Sequence, residues 1–240
     1  MKRCHGIDVS EVIRVHLRPI AVHGFAFLAV MVIALLLVAL PCSAQEVKVS
    51  SAPTSTADAS GWEYDLSASY YSFRNQDDFM LAVARADRGQ LHVEARYNYE
   101  AIDSGSLFIG WKFSGGKKLT WELTPILGAV FGQKEGIAPG FEAAIGYGIV
   151  DFYTETEYVR DLEVREDSFT YSWNELGITP LEWLRFGLVT QRSLAYQSDR
   201  DIQRGLFAQF MVRKATLGFY VFNPDDSDNR YAVFALGAEF

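Results

Sequence analysis

The chain has 240 residues, 49% hydrophobic and 14% aromatic, with 22 Lys and Arg against 30 Asp and Glu for a formal net charge of −8. That acidity excludes a nucleic-acid partner, which calls for a basic patch. Two cysteines, Cys4 and Cys42, and four histidines leave little material for a disulfide framework or a metal cluster.

The N-terminal part reads as a targeting segment. Lys2, Arg3, Arg14 and Arg18 precede an unbroken apolar run over residues 25–40, and Pro41, Cys42, Ser43 and Ala44 follow. A basic flank, an apolar segment and a small-residue end mark a cleaved signal peptide, residues 1–44. A membrane anchor competes with this reading, but 16 apolar residues are short against the roughly 20 a spanning helix needs. Lipid attachment at Cys42 is disfavoured by Pro41, which stands where a small residue is required. Cleavage removes both cysteines, four of the basic and two of the acidic residues, leaving 18 against 28, or −10. Without disulfides the exported chain must hold together through its core or its sheet closure. Residues 45–61, rich in Ser, Ala and Thr, read as a flexible lead-in.

From Trp62 onward the sequence alternates with a period of two, punctuated by Gly, Asp, Asn and Pro, as strands and turns do. The first strand, residues 62–73, sets Trp62, Tyr64, Leu66, Ala68 and Tyr70 against Glu63, Asp65, Ser67 and Ser69. The second, residues 79–86, is less regular. The third sets Leu91, Val93, Ala95, Tyr97 and Tyr99 against His92, Glu94, Arg96, Asn98 and Glu100. The fourth spans 106–113, the fifth 119–131 with a bend expected at Pro125, the sixth 139–149 and the seventh 151–160. The eighth, 169–178, passes from Phe169, Tyr171 and Trp173 to Leu176 and Ile178, which predicts a face change and a bulge near Asn174. The ninth to twelfth cover 184–193, 205–213, 215–222 and 230–240. No helix is expected after residue 44. Connections after odd strands are long or charged; those after even strands are short.

The last strand sets Ala232, Phe234, Leu236, Ala238 and Phe240 against Tyr231, Val233, Ala235, Gly237 and Glu239. A final strand alternating toward a C-terminal Phe resembles the closing strand of bacterial outer-membrane β-barrels. The resemblance implies an all-β, transmembrane, antiparallel up-and-down barrel of about 12 strands over residues 62–240. It also implies location in the outer membrane of a Gram-negative envelope, and an assembly machinery that reads Phe240. Three features agree with it: an even strand count with long loops at one end, aromatics near strand ends (Trp62, Tyr64, Tyr97, Tyr99, Trp121, Tyr158, Trp173, Trp183), and a polar row rich in Gly, Ser and Thr. The last strand is then predicted to pair antiparallel with the first.

Twelve strands lie between barrels filled by side chains and wide aqueous porins. The expected lumen lining includes His92, Glu94, Arg96, Asn98, Glu100, Lys112, Glu122, Glu142, Glu155, Glu157, Arg185, Gln209 and Arg213. Acids outnumber bases. Two readings follow: a lining that selects small polar or cationic solutes, or acids paired with the bases of a filled interior. The functional expectation is a narrow porin or passive channel, with a non-conducting structural or partner-binding barrel as the alternative. A lipid-cleaving enzyme needs a Ser beside a His base; His92 is the one histidine after residue 44 and has no Ser two residues on, so no catalytic residue is expected. No cofactor and no metal are expected, since one His and no Cys make a zinc site only with unusual carboxylate use. The acidic run 223–228 is read as solvated loop charge in preference to a cation site. Outer-membrane lipid is the expected partner, and oligomeric state is left open.

Overall fold

The computed structural model describes residues 61–193 and 202–240. The expected signal peptide and all but the last residue of the lead-in lie outside the described residues, as does much of the loop before the tenth expected strand. The strands are β1 (Glu63–Phe73), β2 (Phe79–Arg88), β3 (Leu91–Tyr97), β4 (Ser104–Trp111), β5 (Phe113–Gly116), β6 (Leu119–Gly132), β7 (Gly136–Tyr147), β8 (Val150–Asp161), β9 (Phe169–Leu181), β10 (Leu184–Arg192), β11 (Gln203–Val212), β12 (Ala215–Phe222) and β13 (Tyr231–Glu239). Every neighbouring pair is antiparallel and consecutive in sequence, except that β1 pairs with β13 and β4 with β6.

Those two exceptions define the architecture. β4 and β5 are one stave, because both pair with β6 in a single register: Gly110 faces Ile126 and Phe113 faces Leu123. The break at Lys112 lies opposite Thr124 and Pro125, and Pro125 has no N–H to give the ladder. Lys112 N instead donates to Gln90 O at 2.7 Å. Twelve staves result. The β1–β13 register, running from Asp65 opposite Glu239 to Phe73 opposite Tyr231, closes the sheet on itself as expected. Closure leaves no strand edge to satisfy elsewhere.

At one end β-hairpins are joined by two residues each: Gly89–Gln90, Lys117–Lys118, Gly148–Ile149, Glu182–Trp183 and Arg213–Lys214. Gly89 and Gly148 take positive φ there, as such turns demand. At the other end the connections reach ten residues, between β10 and β11, and another holds a single 3-10 turn, Arg165–Asp167. Lys134 anchors that loop end by donating to Asp161 at 3.0 Å and Asp167 at 2.9 Å. The Asp167 hydrogen bond holds its ammonium pKa above the ordinary Lys value.

Polarity is inverted relative to a soluble barrel. Leu107, Ile109, Leu127, Leu188 and Leu206 point outward and are each more than 50% exposed, while Glu94, Arg96, Glu100, Glu155 and Glu157 point inward and are at most 4% exposed. An apolar wall of that extent around a charged interior is stable against lipid and not against water. The chain is therefore a transmembrane β-barrel of the outer-membrane class.

Four expectations fail. Pro125 does not bend β6, whose register with β7 is unbroken. β9 does not change face at Asn174: Phe169, Tyr171 and Trp173 lie inward with Glu175, and the register shift falls at the turn end, between Leu184 and Phe186 against β9. Tyr99 and Trp173 belong to the lumen and not to an outer girdle, whereas Trp62, Tyr64, Tyr97, Tyr158 and Trp183 do point outward. Arg213 is not lumenal; it is the exposed first residue of a tight turn, with φ 56.

Candidate functional site

The inward faces of β3, β4 and β8 and the turn after β3 converge on Arg96. Its guanidinium lies 2.6 Å from Glu94, 2.9 Å from Glu155, and 3.3 Å from both Glu100 and Glu157. The rings of Tyr99 and Phe108 cover it at 4.4 and 4.1 Å from their centroids, so the cation is stacked as well as paired. Phe108 can lie there because Gly128 opposes it; a Cβ at 128 would fall 2.3 Å from the ring.

Glu100 reaches this cluster by a local chain reversal. β3 ends at Tyr97, and Asn98 takes a left-handed conformation (φ 57), bonds its amide to Met80 O at 2.9 Å and accepts from Asp103 N at 2.7 Å. The turn thereby folds Tyr99 and Glu100 into the barrel. Glu100 accepts from Ser106 Oγ at 2.8 Å, and Tyr99 OH donates to Glu155 at 3.0 Å. The two side chains close the waist from the loop side.

Toward the turn end the network continues through Arg85, 2.9 Å from Glu94, 3.5 Å from Glu142, 3.6 Å from Asp65 and 3.8 Å from Glu155. His92 Nδ1 lies 2.7 Å from Asp87, and Lys112 is 3.0 Å from Asp87 and 3.7 Å from Glu122. In all, eight carboxylates (Asp65, Asp87, Glu94, Glu100, Glu122, Glu142, Glu155, Glu157) share three permanent cations, Arg85, Arg96 and Lys112, among the described residues. Asp65, Asp87, Lys112 and Glu122 are partly wet, so this end of the lumen opens to solvent.

Across the lumen, Arg185 forms a separate and better balanced cluster. It pairs with Asp151 and Glu175 and donates to Gln209 at 2.9 Å. Gly177 leaves room for it, since a Cβ there would sit 2.7 Å from the guanidinium. Tyr220 OH donates to Glu175 at 3.1 Å and accepts from Gln209 at 2.8 Å. Above this, Tyr71, Phe73, Phe79, Phe222 and Tyr231 stack at centroid distances of 4.6 to 6.3 Å, with Gln191 bridging the Tyr71 and Tyr231 hydroxyls.

Twelve of the thirteen expected lining residues thus face the lumen, all but Arg213. His92, Glu94, Arg96, Glu100, Lys112, Glu122, Glu142, Glu155 and Glu157 share one network, Asn98 shapes its turn, and Arg185 and Gln209 form the second. The expectation missed Arg85, Asp87, Asp151 and Glu175. For Arg85 and Asp87 a signal exists: Ala82, Ala84 and Ala86 form a small apolar row on alternate positions of β2, placing residues 85 and 87 on the opposite face.

No protein-family model and no curated protein matches the chain. Among solved structures, the crystal structure of the Acinetobacter baumannii outer membrane protein Omp33 aligns at 14% identity and a TM-score of 0.40, over 75% of this chain and 96% of that one.

Proposed function

We propose that this barrel is stoppered by its own side chains and serves the envelope structurally or through its outer loops, without a standing solute pathway. The buried waist supports this reading: Arg96 and its four carboxylates are almost wholly removed from solvent. A conducting lining is wet and offers weak, successive sites, whereas passage here requires breaking buried ion pairs, each of which costs several kcal/mol to leave uncompensated. Export by a cleaved signal peptide, long loops outside the cell and assembly through Phe240 belong to the same proposal. His92 acts in it as a network member and not as a catalytic base. The narrow channel for small polar solutes is the second reading, favoured by the wet turn-end mouth at Asp65, Asp87, Lys112 and Glu122. Swelling of proteoliposomes in a small neutral sugar separates the two. The stoppered barrel gives no swelling above protein-free vesicles; swelling at a rate proportional to protein content overturns it in favour of the channel.

A further inference from the structure

We propose that His92, Glu94 and Glu142 form a site for a divalent first-row transition-metal ion on the turn-end side of the waist. One ring nitrogen and one oxygen of each carboxylate lie within 4.8 Å of one another, brought together from β3 and β7. Metal–ligand distances of about 2.0–2.2 Å require the three groups to close around a central ion, with Glu142 moving in and Glu94, held by Arg96 at 2.6 Å and by Arg85 at 2.9 Å, giving up Arg85.

His92 supplies the independent observation. The residue is 2% exposed, yet its Nε2 has no hydrogen-bond partner. The nearest acid oxygen, Glu94 Oε2, is 3.8 Å away, too far for a hydrogen bond. Nδ1 lies 2.7 Å from Asp87, an acceptor that keeps a proton on that nitrogen and leaves Nε2 as the ring atom on the side of the glutamates. A carboxylate behind a histidine with its other nitrogen free is the arrangement that orients imidazole toward a metal.

Charge points the same way. Eight carboxyl groups face three permanent cations, and a buried carboxylate that stays ionised needs a cation beside it. Arg85 now lies between Glu94 and Glu142 and fills the place of that cation. Asp65, 3.6 Å from its other terminal nitrogen, gives the guanidinium an alternative partner once an ion enters from the wet mouth. One imidazole and two carboxylates favour zinc, cobalt or manganese over calcium or magnesium. The site is compatible with either a stoppered barrel or a channel.

The test is Zn2+ titration calorimetry on the protein purified from membranes in detergent, with Co2+ absorption as a second readout. The His92→Ala and Glu142→Gln variants are each expected to weaken Zn2+ binding at least tenfold. Arg85→Met, which removes the competing cation, is expected to tighten it, and excess Mg2+ is expected not to displace the ion. On the unmodified protein, bound Co2+ is expected to show the visible band of a low-coordinate nitrogen and oxygen site, so the proposal stays testable if a variant fails to fold. Binding unchanged by His92→Ala, absence of Zn2+ binding to both wild type and Arg85→Met, or equal displacement by Mg2+ overturns it.

Discussion

On the side of the lumen walled by β1 and β9–β13, the interior is closed chiefly by Tyr71, Tyr171, Phe207, Tyr220, Phe222 and Tyr231, with amide bridges and the Arg185 ion pairs; on the side walled by β2–β8 it is closed by Arg96 and its carboxylates beside a smaller apolar cluster of Phe108, Ile126, Val130, Ala138 and Val159. The aromatic side gains about 1.5–3 kcal/mol for each large apolar side chain buried, with a further ~0.5–1.5 kcal/mol for a well-oriented ring pair. The Arg96 cluster itself has no such surplus, because desolvation of its charges offsets their attraction. Both sides exclude solvent, but they fail differently. Damage to the aromatic side leaves a hole, and damage to the ionic side leaves stranded charge.

Arg96→Ala is therefore the most damaging single change expected, at about 3–5 kcal/mol, because four carboxylates lose their shared partner. Equilibrium urea unfolding in lipid vesicles measures it. Adding Glu157→Gln should recover part of that loss, since the penalty resides in uncompensated carboxylate; no recovery would assign the loss to packing and erase the contrast. Phe222→Ala, with a side chain 0% exposed, should cost about 3 kcal/mol by creating a cavity, and no charge substitution nearby should restore it. Gln191→Ala should cost about 1–2 kcal/mol by removing the buried amide that bridges the Tyr71 and Tyr231 hydroxyls in the aromatic layer. The smallest effect belongs to the loop end. Lys134→Ala should cost less than about 1 kcal/mol, as exposed pairs do. Since the folded pKa of Lys134 is raised, its contribution is fully present below the ordinary Lys value and is lost as pH rises through the raised one. The difference between wild type and variant should thus stay flat through neutral pH, vanish in strong alkali, and also fall away in acid as Asp161, whose carboxyl pKa is lowered by the Val164 N–H and by Lys134, takes up a proton.

Much of the fold is legible in the period of two. Leu91 to Tyr97 alternates so cleanly against His92, Glu94 and Arg96 that both faces of β3 follow from the letters alone, whereas the closing pairing of β13 with β1 follows from the resemblance to outer-membrane barrels. Aromatic residues defeat the alternation. Trp173 and Tyr171 read as lipid-facing, yet they fill the loop half of the lumen, because a barrel interior can be closed by rings as well as by charge and polarity then no longer distinguishes inside from outside. Turns defeat it too: Asn98 ends the alternation with a left-handed residue, which carries Tyr99 inward against its parity, and Arg213 leaves the lumen for a hairpin turn. The lining was readable as a list, but its partnerships were not. His92 and Glu142 lie on β3 and β7, fifty residues apart, and only closure of the sheet brings them within reach.

The most direct test of a self-stoppered lumen is the unitary current of the purified protein in a planar bilayer at neutral pH. A lumen closed by its own side chains passes no steady single-channel current in the wild type, and shows discrete openings once Tyr99 and Glu100, the two side chains folded in from the loop end, are both replaced by Gly. A steady, ohmic current from the unmodified protein would contradict it and return the barrel to the class of open channels.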